Sequence, residues 1–185
     1  MLVNLLDHGR VKRTVGTSLA ILLLFAVPVS ALTFPSGWQI AQKQNNGALA
    51  SNIIQDFNGV GSLLVDMRNA PPAKGKSTVT AERVFNIGAG GENINIRHQY
   101  ETFLQNASLN VKIKVISEKG FTVPDANNED KGPGQTFALN QNFANFFDPG
   151  TYTIRIKISY KNKTGQWDNS APAPGSPHTF EITAL

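Results

Sequence analysis

The chain has 185 residues, with 17 Lys plus Arg, 13 Asp plus Glu and no cysteine. Without cysteine there can be no disulfide, no thiolate metal site and no cysteine nucleophile. Arg10, Lys12, Arg13 and Asp7 all lie in the first 31 residues, so the formal charge of +4 falls to +2 for residues 32–185, too slight a bias to argue for nucleic-acid binding.

Residues 1–31 read as an export signal. A basic front end is followed by the apolar run 19–27, then Pro28 and the small-residue site Val29-Ser30-Ala31. The apolar run is far short of the roughly 20 residues a membrane-crossing helix needs. Cleavage after Ala31 is the expectation, and retention as an anchor the alternative. The address is then extracytoplasmic: secreted, periplasmic or cell-surface. Residues 32–185 are of a length that suits one domain.

Along that domain, 53–57 and 60–67 flank Asn58-Gly59, a two-residue hairpin signal. Leu49, Ile53, Phe57, Val60 and Leu64 also fit a helical spacing, which Gly59 and Gly61 would weaken by about 1 kcal/mol each. A strand is expected over 77–87, with a bulge where Val84 and Phe85 adjoin, and another over 93–104. In 109–115, Leu109, Val111, Ile113 and Val115 alternate with Asn110, Lys112 and Lys114. Phe137, Leu139 and Phe143 share a phase in 135–143, with Gln141 among them. In 151–160, Tyr152, Ile154, Ile156, Ile158 and Tyr160 oppose Thr153, Arg155, Lys157 and Ser159. Phe180, Ile182 and Ala184 share one face of 178–184. Period-two alternation marks strands with one buried and one wet face. The connectors 69–76, 88–91, 124–134 and 161–177 are rich in turn residues. Short strands joined this way predict an all-β sandwich or barrel.

The segment Asp148-Pro149-Gly150-Thr151-Tyr152-Thr153-Ile154 resembles the tyrosine corner of immunoglobulin-like domains. Ile154 stands where that family often has its second cysteine, so the resemblance is to cysteine-free relatives such as fibronectin type III and bacterial immunoglobulin-like modules. It implies an immunoglobulin-like antiparallel β-sandwich of about 7–9 strands. In that scheme 151–160 would be strand F, 178–184 strand G and 161–177 the loop joining them. A jelly-roll sandwich is the alternative.

No catalytic constellation emerges. His98 and His178 fall in phase with apolar neighbours, at the edge of the expected core, and no nucleophile pattern such as Gly-x-Ser-x-Gly is present. Asp125, Asn127, Glu129 and Asp130 gather oxygen ligands suited to calcium. Asp130, however, stands where an EF-hand needs glycine, and a solvated turn accounts for the cluster. Gly88-Ala89-Gly90-Gly91 precedes a strand rather than a helix, which favours a turn over a phosphate cradle. No metal or cofactor is assigned.

The loop after Tyr160 carries Asn162, Lys163, Gln166, Trp167, Asp168 and Asn169, an aromatic ring beside amides and charges, as a sugar or peptide surface would. A lid role for Trp167 over the core end is equally open. Lys112, Lys114, Arg155 and Lys157 would form a basic face if their two strands share a sheet, able to attract acidic polysaccharide or anionic lipid. Two sequons begin at Asn106 and Asn162. The expected function is a non-enzymatic binding or adhesion module for cell-surface polysaccharide or protein. The alternative is a structural subunit that self-associates through edge strands.

Overall fold

The computed structural model describes residues 32–46, 49–68, 74–104, 107–120, 122–131, 135–163 and 176–185. They form eleven strands: β1 Leu32–Thr33, β2 Gln39–Asn45, β3 Asn52–Gln55, β4 Leu63–Asp66, β5 Gly75–Ile87, β6 Glu92–Leu104, β7 Ala107–Ser117, β8 Thr122–Lys131, β9 Gln135–Phe147, β10 Gly150–Asn162 and β11 His178–Ala184.

All pairing is antiparallel between these strands, in two sheets. One runs β1-β5-β10-β7-β8, with β2 also on β5; the other runs β3-β4-β11-β6-β9. The inward residues of both meet in a single apolar core that includes Phe85, Val111, Ile156, Leu63, Ile96 and Phe180. The all-β antiparallel sandwich expected from the alternation is therefore present.

Its strand order is that of a jelly roll, the alternative raised above: β5-β10-β7-β8 against β4-β11-β6-β9. From β4 onward the chain changes sheet at every connection except the β7–β8 hairpin. β10 and β11 thus lie in opposite sheets and are not the adjacent F and G strands that the tyrosine-corner resemblance implied. The corner itself does form: the Tyr152 hydroxyl donates to the Asp148 carbonyl at 2.9 Å. It closes one turn, however, and does not determine which sheet the next strand joins. With β5 on one edge of β10 and β7 on the other, β11 has no place beside it.

Three local expectations change. β5 pairs residue for residue with β10 from Gly75↔Asn162 to Ile87↔Gly150, so no bulge occurs at Val84. The regular pleat turns Arg83 into the core between Ala81 and Phe85 and leaves Val84 on the outer side. The hairpin around Asn58-Gly59 exists, but Gln55 pairs with Leu63, which makes 56–62 the turn. Asp56, Gly59 and Gly61 adopt φ of 52°, 103° and 98° there. At Gly61 a Cβ would sit 2.6 Å from the Phe34 ring and 2.9 Å from the Ile182 carbonyl oxygen, so only glycine fits. Trp38 closes this end of the core, its indole N–H donating to the Ser62 carbonyl at 2.9 Å.

Finally, most of the supposed connector 124–134 is strand β8. Of the oxygen-rich run, Asn127, Glu129 and Asp130 therefore lie on paired, extended backbone and not in a turn, and Asp125 falls at the register shift within the same strand. The β7–β8 register shifts between Ile113↔Asn127 and Val115↔Val123, which accommodates Pro124. An outermost strand tolerates both a proline and a bulge.

Candidate functional site

The outer face of the β5-β10-β7 sheet carries the most distinctive surface chemistry. Ile154, Ile156 and Ile158 of β10 are buried, so Arg155, Lys157, Ser159 and Lys161 project outward. Register then fixes their neighbours. Arg155 lies opposite Lys114 and Lys157 opposite Lys112; Ser159 faces Asn110 and Lys161 faces Ser108. On the other flank, Lys161 faces Lys76 and Ser159 faces Thr78. The strands expected to carry a basic face do share a sheet, as direct neighbours.

Arg155 is committed to Glu82 of β5, its Nε donating at 2.6 Å. Toward the other end the described charged side chains of β5 and β10 are basic, and Asp130 of β8 stands opposite Asn110 in the register. A shallow cleft of about 330 Å³ is lined by Lys76, Ser108, Asn110, Lys157, Ser159, Lys161 and Lys163. Four ammonium groups, two hydroxyls and one amide line it among the described residues, with no carboxylate among them. Ser108 Oγ donates to the Lys161 carbonyl at 3.2 Å, and the Ser159 and Thr78 hydroxyls lie 3.2 Å apart, which holds the cleft floor. Such a surface concentrates anions and can orient them through short polar side chains.

Of the loop residues expected to bind ligand, Lys163 lines this cleft. Tyr160 and Asn162 do not: β10 continues through 162, and strand parity turns both inward, to 3% and 2% exposure. They are core residues, and burial of Asn162 also removes it as a glycosylation acceptor in the folded chain. Gln166, Trp167, Asp168 and Asn169 lie outside the described residues, as does the sequon at Asn106. Reading by residue type picked Lys112 and Lys157 but missed Lys76, Ser108, Ser159 and Lys161. The outward alternation Lys157, Ser159, Lys161, Lys163 was available in the sequence and would have found half of them.

His98 and His178 lie deeper than the core edge. His98 Nε2 is 3.4 Å from His178 Nδ1, and His178 Nε2 is 3.3 Å from the Tyr160 hydroxyl. The His98 ring stacks on Phe180 at 4.3 Å and on Tyr100 at 5.0 Å. Burial pushes His98 down to about 2, with His178 adding to the effect. Burial also pushes His178 down to about 3, against the pull of Asp66. Both rings are neutral structural parts, sealed from substrate. Among the described residues no cluster of His, Asp or Glu could hold a metal ion.

A second cleft, of about 420 Å³, opens at the tyrosine corner between Glu118, Lys119, Phe146, Asp148 and Gly150. Gly91 lies against it with φ of 74°, where a side chain would collide with the Phe146 ring. The glycine run 88–91 is thus a tight turn between β5 and β6, as its composition implied.

No family model matches the chain, and no curated protein does. Among solved structures, a carbohydrate-binding module, TmCBM61 in complex with β-1,4-galactotriose, is similar at 10% identity and a TM-score of 0.42, covering 80% of this chain and 88% of that one. The enzymatically active domain of bacteriophage CBA120 tailspike protein 4 is similar at 11% identity and a TM-score of 0.38, over 81% of this chain but only 20% of that one. The exo-β-1,3-galactanase of Phanerochaete chrysosporium is similar at 14% identity and a TM-score of 0.30, over 85% of this chain and 30% of that one. The fold and the cleft by themselves define a cysteine-free jelly-roll sandwich with a lysine-lined cleft on the outer face of one sheet.

Proposed function

We propose that this protein is a non-enzymatic binding module that holds an acidic glycan, one bearing carboxylate or sulfate groups, in the lysine cleft of β5, β7 and β10. The observation that supports this reading is the convergence of Lys76, Lys157, Lys161 and Lys163 on one cleft, with no carboxylate among its described lining residues. Lysine side chains scattered on a solvated surface are normally interspersed with acids, as at Arg155 and Glu82 on this same sheet. Ser108, Asn110 and Ser159 between the cations suit a polyhydroxylated chain, whose hydroxyls need short donors and acceptors. Export through residues 1–31, as expected from the sequence, would suit this reading, since polyanionic polysaccharide is met outside the cytoplasm.

Calorimetric titration with a polyuronate or a sulfated polysaccharide, beside a neutral polymer of equal length, tests the reading. Binding should be restricted to the acidic polymers and should weaken as salt rises, because ammonium–anion contacts are screened. Lys157→Gln with Lys161→Gln should weaken it roughly tenfold or more, since two charge-assisted contacts contribute several times RT. Equal binding of the neutral polymer, or binding unmoved by the double substitution, would sink the proposal.

A further inference from the structure

Among the described residues the two sheets have four edges, formed by β1 with β2, by β8, by β3 and by β9, and three of them carry devices that discourage pairing with another chain. β2 shares its side of β5 with β1 and bears Lys43; β3 has four residues; β8 contains Pro124, a register shift, and the charges of Asp125, Glu129, Asp130 and Lys131. Short length, charge, proline and bulges are the means by which edge strands are kept apart. β9 has none of them. It runs thirteen residues in unbroken register with β6, from Glu92↔Phe147 to Leu104↔Gln135, and is the last strand of its sheet among the described residues. Its sequence, QTFALNQNFANFF, holds no charge, no proline and no glycine.

The centre of the same strand is self-complementary when reversed about Gln141, while toward the ends Phe137 would meet Asn145, Thr136 Phe146 and Gln135 Phe147. Asn140 then matches Asn142, Leu139 matches Phe143, and Ala138 matches Ala144. Pairing with β6 sets the faces: Phe143 lies opposite the buried Ile96 and packs at the rim of the core, whereas Asn142 and Ala144 are exposed. A strand paired antiparallel with its own copy in this register puts position 139 of one copy beside 143 of the other, and 140 beside 142. Apolar meets apolar and amide meets amide, which is what a two-fold interface, the same patch on both partners, requires.

We infer that the protein forms a two-fold dimer in which β9 of one copy pairs antiparallel with β9 of the other, centred on Gln141, joining the two sheets into one. The edge belongs to the sheet opposite the lysine cleft, so the inference stands whether or not that cleft binds glycan. Where it does, the dimer is bivalent toward a repeating polymer.

Sedimentation velocity of the purified protein up to the millimolar range gives the first reading, a monomer–dimer equilibrium. Register is read by cysteine, since the chain contains none. Gln141→Cys sits on the two-fold axis, where opposed Cα atoms are about 4.5–5.5 Å apart, within disulfide reach. Oxidation should cross-link it. Ala144→Cys, whose copies would be separated by about 20 Å along the strand, should not cross-link. Asn140→Lys with Asn142→Lys opposes like charges at two places and should weaken the dimer roughly tenfold. Mixing it with the Asn140→Glu, Asn142→Glu variant should restore pairing. A protein that stays monomeric throughout overturns the inference, including one whose edge takes a strand from a different protein. So does a dimer that Ala144→Cys links as readily as Gln141→Cys, or one indifferent to the paired lysines.

Discussion

At one end of the sandwich Arg83 is 3% exposed and holds Asp56, while across the same core His98 and His178 lie among aromatic rings with no carboxylate bonded to either. Arg83 Nη1 donates to Asp56 Oδ1 at 2.5 Å, and its guanidinium stands 4.5 Å from the centre of the Phe34 ring and 5.7 Å from that of Trp38. Burial pushes the Asp56 carboxyl up, but the Arg83 bond and the Gly61 N–H, donating at 2.9 Å, hold it below its ordinary value. The one acid acting on His178 is Asp66, and Arg68 occupies it through two bonds of 2.9 and 2.6 Å. A guanidinium cannot shed its proton and needs its buried charge compensated, whereas an imidazole among rings can give its proton up. The 56–62 turn brings an acid to the one that cannot.

The sharpest way to break this contrast is to remove the acid. Asp56→Asn keeps the shape and suits the left-handed φ of 52°, yet it leaves a buried guanidinium without a counter-charge. The expected loss is about 3 kcal/mol of unfolding free energy, or more. Arg83→Met should cost clearly less, because it strands only a carboxylate that is 38% exposed and open to water. Urea denaturation of both variants decides the point. Equal losses would mean that packing against Phe34 and Trp38, not charge compensation, is what Arg83 supplies.

Acid should act on the other half of the contrast. Each histidine has a folded value, about 2 or about 3, well below the ordinary 6.5 that the unfolded chain recovers. Between those limits the unfolded state binds more protons, so stability falls as pH falls from about 6.5 toward 3. At pH 5 each ring should cost about 2 kcal/mol, together a large part of a typical domain's stability. Asp56 and Asp66, both lowered from 3.8, act in the same direction but only around and below that value. His98→Leu should therefore halve the slope of stability against pH above 4, as measured by denaturant midpoints. An unchanged slope would assign the acid lability to other groups.

How much of this was legible in the sequence follows from the same distinction between local and distant partners. β7, β10 and β11 could be read because each has one wet face, so alternation of residue type carries the answer. Arg83 could not. Residue type alone prefers Val84 inward; the phase of Val79, Ala81, Phe85 and Ile87 puts position 83 there, and a charge at that position is compensated by an acid 27 residues away that only the sandwich brings near. β8 was hidden by its proline and polar composition, which an outermost strand permits. The tyrosine corner was read correctly as a turn and incorrectly as an index of topology, since its hydrogen bond spans four residues while sheet membership is set by long-range pairing. On the cleft, the outward Lys157 and Lys161 of β10 were visible by parity. Lys76 was not, because its place depends on β5 lying beside β10.

The smallest expected effect probes the direction of hydrogen bonding through the histidine pair. Two neutral arrangements are available. If His98 Nε2–H donates to His178, and His178 Nε2–H donates to Tyr160, the His98 Nδ1 that lacks a partner among the described residues is a bare acceptor. The reverse order makes it a buried, unsatisfied N–H, and orphan donors are the rarer and costlier kind. The first arrangement is therefore favoured, and it makes Tyr160 the acceptor that sustains it. Tyr160→Phe removes that acceptor at a cost of about 1 kcal/mol. Either order then leaves one orphan N–H, on His178 Nε2 or on His98 Nδ1, so the pair should lose its preference, part of the His98 proton moving to Nδ1. Nitrogen-15 chemical shifts distinguish protonated from bare ring nitrogens directly. A His98 tautomer that is already Nδ1–H before the substitution, or that does not move after it, would show that rings stacked at this density tolerate the orphan donor, and that stacking rather than hydrogen bonding sets the protonation pattern of the core.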